Sequence, residues 1–349
     1  MYKPNPVVCD GNLILSACTA AILNNMPKRD VIFNSDNENV MYRGRGIVVK
    51  AFLVSIFSQV KAMKNRGLSP TNFSIVWDKR ISGNYHKSTI LNELDDDKGY
   101  KGDRKYASMD DLNNPDLTEE EKQDIEASII INKERMEARN ILMEELPKYG
   151  IASYMVAGFE ADDLDYIWGL ETEKRGGQHI HYSGDSDWQF HLVGNDVAWQ
   201  VNRGKLNYKD VEIVRLKHKI PEDMELMDWA ELQFSAFGSH NFLQKTFDPT
   251  VKRVTKKYKD KFFSGDFSDI VDKERFEAQR KCFRILDFPG VDKVQELYKT
   301  MISHTRSTDL DDFNDLLVKL SIGDKAKYGL MNSFKTFHKI LLDSKLEQL

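Results

Sequence analysis

The sequence predicts an α/β fold, in which helices flank a mainly parallel central sheet and a helical C-terminal part follows. Up to about residue 208, short apolar segments alternate with segments whose apolar residues recur at helical spacing, as in parallel sheets with crossover helices. After residue 209 the pattern is mainly helical. We therefore expect an α/β core at 1–208 and a helical subdomain at 209–349. With 349 residues, 41% of them hydrophobic, the chain can bury a substantial core.

The individual elements follow from local signals. Short apolar segments predict strands at residues 6–9, 72–77, 150–156 and 178–182. Apolar residues at helical spacing predict helices at about residues 13–24, 47–66, 118–147 and 272–286. Thr118, with Glu121 three residues later, is a capping signature for the third of these helices. Residues 27–44 are polar and turn-rich, and residues 196–208 predict a hairpin that turns at Arg203 and Gly204.

Acidic residues follow the predicted strands at their C-terminal ends. They are Asp10, Asp78, Glu160 and Asp185. One explanation is local, because acidic residues complement the dipole at a helix start. Helix capping does not explain why all of them fall at one edge of one sheet. In parallel sheets this edge, at the C-terminal ends of the strands, is where ligand-binding sites lie. Closely packed carboxylates repel each other unless a cation compensates them, so the pattern predicts a hard divalent ion with oxygen ligands, Mg²⁺ or Mn²⁺.

Further carboxylates adjoin these positions, since Asp162 and Asp163 follow Glu160, and Asp187 follows Asp185. So many carboxylates suit two metal ions, which together activate water and stabilise the leaving oxygen of a phosphodiester. A carboxylate pocket repels a polyanion, so basic residues must bind the backbone of a nucleic acid.

Basic residues cluster in two places, at 79–106 and at 250–261. The second cluster includes Lys252, Arg253, Lys256 and Lys257. Either cluster by itself is typical of a solvated face. Residues 79–116 also break the strand and helix alternation, and their sparse apolar content predicts mobility in the absence of a substrate.

The cysteines, Cys9, Cys18 and Cys282, are odd in number and lack metal-ligand spacing. They fit a reducing compartment, so we expect a cytoplasmic protein (in the host cytoplasm if viral). Leu15-Ser16-Ala17-Cys18 looks like a lipoprotein cleavage site, but Asp10-Gly11-Asn12 interrupts the apolar segment that export requires. No segment has the roughly 18 apolar residues of a membrane span, and we expect no membrane partner.

Several motifs occur in a fixed order. They are Asp10-Gly11-Asn12, Trp77-Asp78, Tyr100-Lys101-Gly102-Asp103-Arg104, Gly158-Phe159-Glu160-Ala161-Asp162-Asp163 and Ser183-Gly184-Asp185-Ser186-Asp187. In order and spacing this series resembles the 5′-nuclease family, which includes flap endonucleases, the 5′-nuclease domain of bacterial DNA polymerase I and the phage exonucleases called phage ribonuclease H. The last branch is the most similar. The resemblance covers residues 5–200 well and the remainder loosely.

The resemblance implies a PIN-like nuclease core with a helical, DNA-binding C-terminal subdomain. It also implies roles for individual residues. The metal-binding carboxylates would be Asp10, Asp78, Glu160, Asp162, Asp185 and Asp187, with Asp163 as a weaker candidate. Lys101 and Arg104 would be catalytic and meet the scissile phosphate, beside the aromatic Tyr100. Residues 79–116 would form the arch through which a single-stranded 5′ end passes. The partners that the resemblance implies are a single-strand-binding protein or a sliding clamp.

The sequence departs from the family in the loop that grips duplex DNA. The family usually has Gly-Asp-x-x-Asp-Asn there, and the aligned residues here are Phe237-Gly238-Ser239-His240-Asn241. His240 stands where an aspartate of the second metal site is expected, and imidazole is a poor Mg²⁺ ligand. An alternative alignment uses Gly265-Asp266-Phe267-Ser268-Asp269, which has the family spacing but lies late in the chain.

The expected function is a monomeric, metal-dependent 5′→3′ exonuclease and flap endonuclease. Its substrates would be branched or 5′-ended DNA and RNA–DNA hybrids, and its task the removal of RNA primers and flaps in phage replication. His240 motivates an alternative, a structure-selective DNA-binding protein of the same fold with weakened catalysis. A hydrolase of a small phosphorylated substrate is a further alternative, which the polar insertion and the basic clusters disfavour.

Overall fold

A six-stranded sheet forms the centre of the protein, in the strand order β3-β2-β1-β4-β5-β6. The strands are β1 (Pro6–Asp10), β2 (Asn72–Val76), β3 (Ala152–Tyr154), β4 (Ile180–Ser183), β5 (Val197–Asn202) and β6 (Lys205–Asp210). The first five are parallel, and β6 pairs antiparallel with β5. The computed structural model describes residues 3–25, 38–81, 84–94, 108–202, 205–238, 243–250, 256–303 and 309–348. The predicted fold class, a mainly parallel α/β sheet flanked by helices, is confirmed.

Helices connect the strands and form the second half of the chain. They are α1 (Gly11–Asn25), α2 (Glu38–Asn65), α3 (His86–Asn92), α4 (Glu119–Glu145), α5 (Ala161–Glu173), α6 (Val211–His218), α7 (Leu226–Phe237), α8 (Lys256–Phe263), α9 (Lys273–Lys281), α10 (Val291–Ser303), α11 (Leu310–Lys319) and α12 (Asp324–Glu347). The predicted cap is present, because Thr118 accepts a hydrogen bond from the backbone N–H of Glu121 and Glu121 caps Thr118 in return.

The strands β1, β2 and β4 are buried on both faces of the sheet, and side-chain alternation along each strand assigns residues to one face or the other. On β1, Val7 and Cys9 belong to the larger core, while Val8 belongs to the smaller one. The larger core includes residues of α1, α2, α4, α11 and α12. The smaller core contains α5 and α10, joined by a hydrogen bond from the Trp168 indole to the Val294 carbonyl at 2.9 Å.

Helix α2 differs from its prediction in two respects. It begins at Glu38, inside the segment that was expected to be turn-rich. Its part Arg45–Asn65 is also long and apolar enough to cross a membrane by length and composition alone. The expectation that no segment reaches such a length is therefore wrong. The physical reason is that α2 packs against α1, α4 and α12 at once, which requires apolar residues around much of its circumference.

Within the 79–116 segment, helix α3 is packed against the rest of the protein, whereas residues 108–116 are almost entirely exposed. Helix α3 contacts α9, and Lys87, Ser88 and Leu91 are buried. Residues 95–107 lie outside the described residues, so the predicted arch stays a prediction. The division at 208/209 falls inside β6, and α11 and α12 pack in the larger core instead of apart from the sheet.

An aromatic cluster joins the C-terminal helices to α2. Phe334 of α12 stacks on Phe313 of α11 with ring centroids 4.1 Å apart. We expect Phe334→Ala to lower the free energy of unfolding by about 3–5 kcal/mol, because it opens a cavity beside Phe57 of α2. Urea unfolding measures this loss. The matched control is Tyr328→Ala on the same helix, where the side chain is exposed and a change within about 0.5 kcal/mol is expected. Equal effects of the two substitutions would contradict the packing described here.

Candidate metal centre

The C-terminal ends of the parallel strands bring the acidic residues together at one edge of the sheet. Asp10 ends β1, Asp78 lies two residues beyond β2, and Asp185 lies two residues beyond β4. The chain leaves β1 toward β2 on one side and returns as β4 on the other, which makes the crevice between β1 and β4 the switch point of the sheet. The Ser183 hydroxyl donates to Asp10 Oδ2 across that crevice at 3.2 Å.

Glu160 reaches the same edge because it is the N-cap of α5. Its backbone N–H donates to Asp163 Oδ2 at 3.0 Å, as in a capping box. Gly158, just before it, has a φ of 90°, and a β-carbon there would collide with the His86 ring. The glycine of the motif is therefore required by the turn that places Glu160.

Asp78 and α5 are joined directly. The backbone N–H of Ala161 donates to Asp78 Oδ1 at 2.8 Å, so this carboxylate lies at the positive end of the helix dipole. At the start of α1, a β-carbon on Gly11 would meet Ile75 and the Trp77 ring at 2.6 Å. These close approaches hold the starts of α1 and α5 against the ends of β1 and β2.

A buried lysine compensates part of the acidic group. Lys87 Nζ lies 2.7 Å from Asp163 Oδ1 and 3.2 Å from both Glu160 Oε2 and Asp162 Oδ2. Burial by itself lowers the pKa of Lys87, but the three carboxylates outweigh it and raise that pKa well above its ordinary value. Lys87 is therefore a permanent cation at this site.

Asp10, on the other side of the acidic group, has no such ammonium beside it among the described residues. Asp10 is buried there without an ion-pair partner in that part of the chain. Burial raises the pKa of Asp10 to about 8, with further contributions from the charges of Asp78, Asp162 and Asp185. An oxygen-rich donor set with this unrelieved repulsion fits a hard divalent cation.

A cleft with a volume of about 800 Å³ opens onto these carboxylates. Of the predicted metal ligands that the structure describes, the cleft is lined by Asp10, Asp78, Glu160, Asp162 and Asp185. Helix α4 also lines the cleft, through residues that include Arg135 and Arg139. Lys79, Arg80 and Tyr85 complete the rim, where the Arg80 guanidinium lies 5.3 Å from the centroid of the Tyr85 ring. The lining of the cleft thus combines carboxylates with arginines.

Among the predicted ligands that lie in the described part of the chain, two do not line the cleft. Asp163 is fully buried behind it, where one oxygen caps α5 and the other meets Lys87. Asp187 lies in the short 3₁₀ helix after β4, and its backbone N–H donates to Asp185 Oδ1 at 3.0 Å. Asp163 is therefore a helix-capping and ion-paired residue, and Asp187 orients Asp185.

Several predicted residues lie outside the described part of the chain. They are Tyr100, Lys101, Arg104, His240, Lys252 and Arg253. Lys256 and Lys257 form the first turn of α8. In the alternative loop, residues 265–269, the carboxylates of Asp266 and Asp269 form ion pairs with Lys261. Their Oδ2 atoms lie 3.7 and 2.9 Å from Lys261 Nζ.

The sequence reasoning missed three contributions to this site. Lys87 was counted only among the basic residues of a polar insertion, and its burial depends on how α3 packs. Arg135 and Arg139 carry a weak signal, because their spacing of four residues places them on one face of a helix. Ser183 precedes the acidic motif, and no pattern marks it as a partner of Asp10.

A second group of titratable residues lies entirely inside the protein, between α5, β4 and β5. Asp165 accepts from His179 Nε2 at 2.9 Å and from His181 Nδ1 at 2.5 Å, and the other nitrogen of His181 faces Asp196 Oδ2 at 3.3 Å. Nitrogen and oxygen ligands about 2.0–2.1 Å from a tetrahedral zinc ion lie more than 3 Å apart. The shorter separations here are those of hydrogen bonds, so protons and not a metal hold this group together.

No family model and no curated protein matches the sequence. Among solved structures the chain is similar to a 5′-exonuclease of T5 with bound zinc ions, at 15% identity and a TM-score of 0.44, with 97% of this chain and 99% of that chain covered. It is also similar to a flap endonuclease of bacteriophage T5 in a complex with DNA and metal ions, at 16% identity and a TM-score of 0.42, with 95% and 99% covered. Both of these solved structures are 5′-nucleases by description, and in both cases the similarity extends over nearly the whole of each chain.

Proposed function

We propose that this protein is a metal-dependent 5′-nuclease that hydrolyses phosphodiester bonds as a 5′→3′ exonuclease and flap endonuclease. One observation carries the proposal. Carboxylates from three strand ends and one helix start, those of Asp10, Asp78, Asp185 and Glu160, line a single cleft whose lining also includes Arg135 and Arg139. Carboxylates by themselves would repel a nucleic acid, and the two arginines provide the attraction that brings its backbone to them.

The residues of this cleft suit the chemistry of phosphodiester hydrolysis. A divalent ion held by Asp10, Asp78 and Asp185 would supply a Lewis acid that activates water and neutralises developing charge on the phosphate. Arg135 and Arg139 would orient the phosphates of the strand, because guanidinium groups bind phosphate oxygens in a bidentate manner. Tyr85 on the rim offers a ring on which an unpaired base can stack.

The narrower features of the function rest on the sequence motifs. The oxygen ligands support Mg²⁺ or Mn²⁺ as the cofactor, and the resemblance of the motifs to the 5′-nuclease family supports 5′-ended or branched DNA as the substrate. We extend the proposed substrates to RNA–DNA hybrids. The proposed task is the removal of primers and flaps in phage replication, and the proposed location is the cytoplasm. A single-strand-binding protein or a sliding clamp would then be a partner.

The test is digestion of a flap substrate that carries a label at its 5′ end, in Mg²⁺ and in Mn²⁺. Release of short labelled products is expected. Cleavage should weaken as the salt concentration rises, because binding releases the counterions condensed on the nucleic acid and added salt opposes that release. A protein that binds flaps tightly and cuts with neither metal would be the structure-selective DNA-binding protein instead. Hydrolysis of a small phosphomonoester with little salt dependence would favour a small-molecule phosphatase.

The pKa of Asp10 leads to a prediction about metal affinity. Burial, aided by the charge of Asp78, raises this pKa to about 8, so a cation that binds at pH 7 must displace a proton. We expect the apparent affinity for Mg²⁺ to increase up to about tenfold per pH unit below pH 8 and to level off above it. Calorimetric titration between pH 6 and pH 9 measures the change. An affinity that stays constant from pH 6 to pH 8 would contradict it, and Asp10→Asn should remove the dependence.

A further inference from the structure

Lys87 is buried behind the carboxylates that line the cleft, and the proposed function does not use it. It lies on α3, which also contacts α9, and its ammonium is buried among Glu160, Asp162 and Asp163. A lysine is rarely buried unless it is paired, and here it meets three carboxylates at once. The ammonium therefore stands at the centre of an acidic triplet that could otherwise bind a metal ion.

The carboxylates around Lys87 have little capacity left for a metal. Asp163 uses one oxygen for the α5 cap and the other for Lys87. Asp162 accepts from the backbone N–H of Asp163 through Oδ1 at 2.9 Å and meets Lys87 through Oδ2. A divalent ion at this position would also lie against a fixed positive charge, which opposes its binding.

Asp10 and Asp185 differ from this triplet, because neither carboxylate forms an ion pair with any described residue. Each is oriented by a hydroxyl or a backbone amide. Ser183 donates to Asp10 Oδ2 at 3.2 Å, and the Asp187 N–H donates to Asp185 Oδ1 at 3.0 Å. Neutral donors orient a carboxylate and leave its charge uncompensated, which is the state that attracts a cation.

We propose that the Lys87 ammonium is a built-in cation that fills the position among Glu160, Asp162 and Asp163, so that the cleft takes its divalent ion on the side of Asp10, Asp78 and Asp185 alone. This inference rests on the metal-dependent function proposed above and changes the expected number of ions from two to one. The lysine is a positioning residue: it fixes the charge and orientation of the three carboxylates.

The first experiment counts bound Mn²⁺ on the full chain, by calorimetry and by the electron paramagnetic resonance signal of free Mn²⁺. Lys87→Met is expected to bind one tight ion more than the wild type, because the acidic triplet then lacks its cation. Lys87→Arg keeps the charge and should bind no extra ion. Lys79→Met is the matched control, since it removes an exposed cation from the same cleft and leaves the triplet paired.

The extra ion can be assigned to the triplet by a second substitution. Adding Asp163→Asn to Lys87→Met should abolish the gain. If Lys87→Met needs Mn²⁺ in order to fold, the Mn²⁺ concentration at half folding reports the same site and supports the proposal. A Lys87→Met chain that takes up no more Mn²⁺ than the wild type would overturn it.

The second experiment needs no substitution. In the wild type, the Lys87 ammonium should give a slowly exchanging nitrogen–proton resonance that persists when Mg²⁺ saturates the cleft, because its protons are buried against three carboxylates. Disappearance of this resonance at saturating Mg²⁺ would mean that the ion displaces the lysine, and the proposal would fail. Both readouts are independent of cleavage. A chain that binds one ion but cuts no DNA would contradict the proposed nuclease and leave this inference standing.

Discussion

Asp78→Asn is expected to reduce flap cleavage by about a thousandfold while the protein stays folded and binds the substrate. Asparagine keeps the oxygen that accepts from the Ala161 N–H at 2.8 Å, so the start of α5 should be preserved. The substitution removes one negative charge from the group that would hold the divalent ion. The rate of product release from a 5′-labelled flap, measured in single turnover, reports the effect.

Binding and cleavage should separate in this variant. With one carboxylate fewer in the cleft, affinity for the flap in Ca²⁺ should be unchanged or higher, because repulsion of the phosphates is reduced. Asp324→Asn, at an exposed position on α12, is the matched control and should cleave like the wild type. Cleavage by Asp78→Asn at the wild-type rate, in both Mg²⁺ and Mn²⁺, would refute a catalytic role for this strand end.

Asp165→Ala is expected to have the largest effect on stability, with a loss of about 3–5 kcal/mol in the free energy of unfolding. Both of its oxygens are bound by histidines, and its side chain is fully buried. Removing it leaves His179 and His181 without the carboxylate that they share, in a low-dielectric interior. Chemical denaturation measures the loss. The control Asp343→Ala breaks an exposed pair with Lys339 and should cost less than about 1 kcal/mol.

The same network makes stability depend on pH. Burial lowers the pKa of His181, but its carboxylate partners, Asp165 first, outweigh this and raise it to about 9. A raised histidine pKa stabilises the fold fully below the unfolded pKa of about 6.5, and this contribution is lost as pH rises through about 9. The pKa of Asp165 is depressed by the histidines although burial opposes this, so its contribution exists above the unfolded value and is lost only in strong acid. Unfolding free energies at pH 6 and pH 9 should differ less in Asp165→Ala than in the wild type, and equal differences would contradict the assignment.

The sequence by itself determined the architecture of the sheet and the identity of its acidic edge. Short apolar segments predicted the strands. The hairpin of β5 and β6 and the cap at Thr118 were confirmed where they were predicted. Asp10, Asp78, Glu160 and Asp185 could be placed together because the C-terminal ends of parallel strands share one edge. These features depend on residues that are near in sequence, or on a general rule of sheet topology.

Only the tertiary structure decided which charges meet at that edge. Lys87 reaches the acidic group because α3 packs against the rest of the protein. Arg135 and Arg139 line the cleft because of where α4 packs. The apolar length of α2, which matches a membrane span in composition, is explained by the helices that surround it. Such contacts join residues far apart in the chain. Local periodicity indicates which face of a helix is apolar, but not which element packs against that face. The balance of charge in the cleft is therefore set only when the helices are packed.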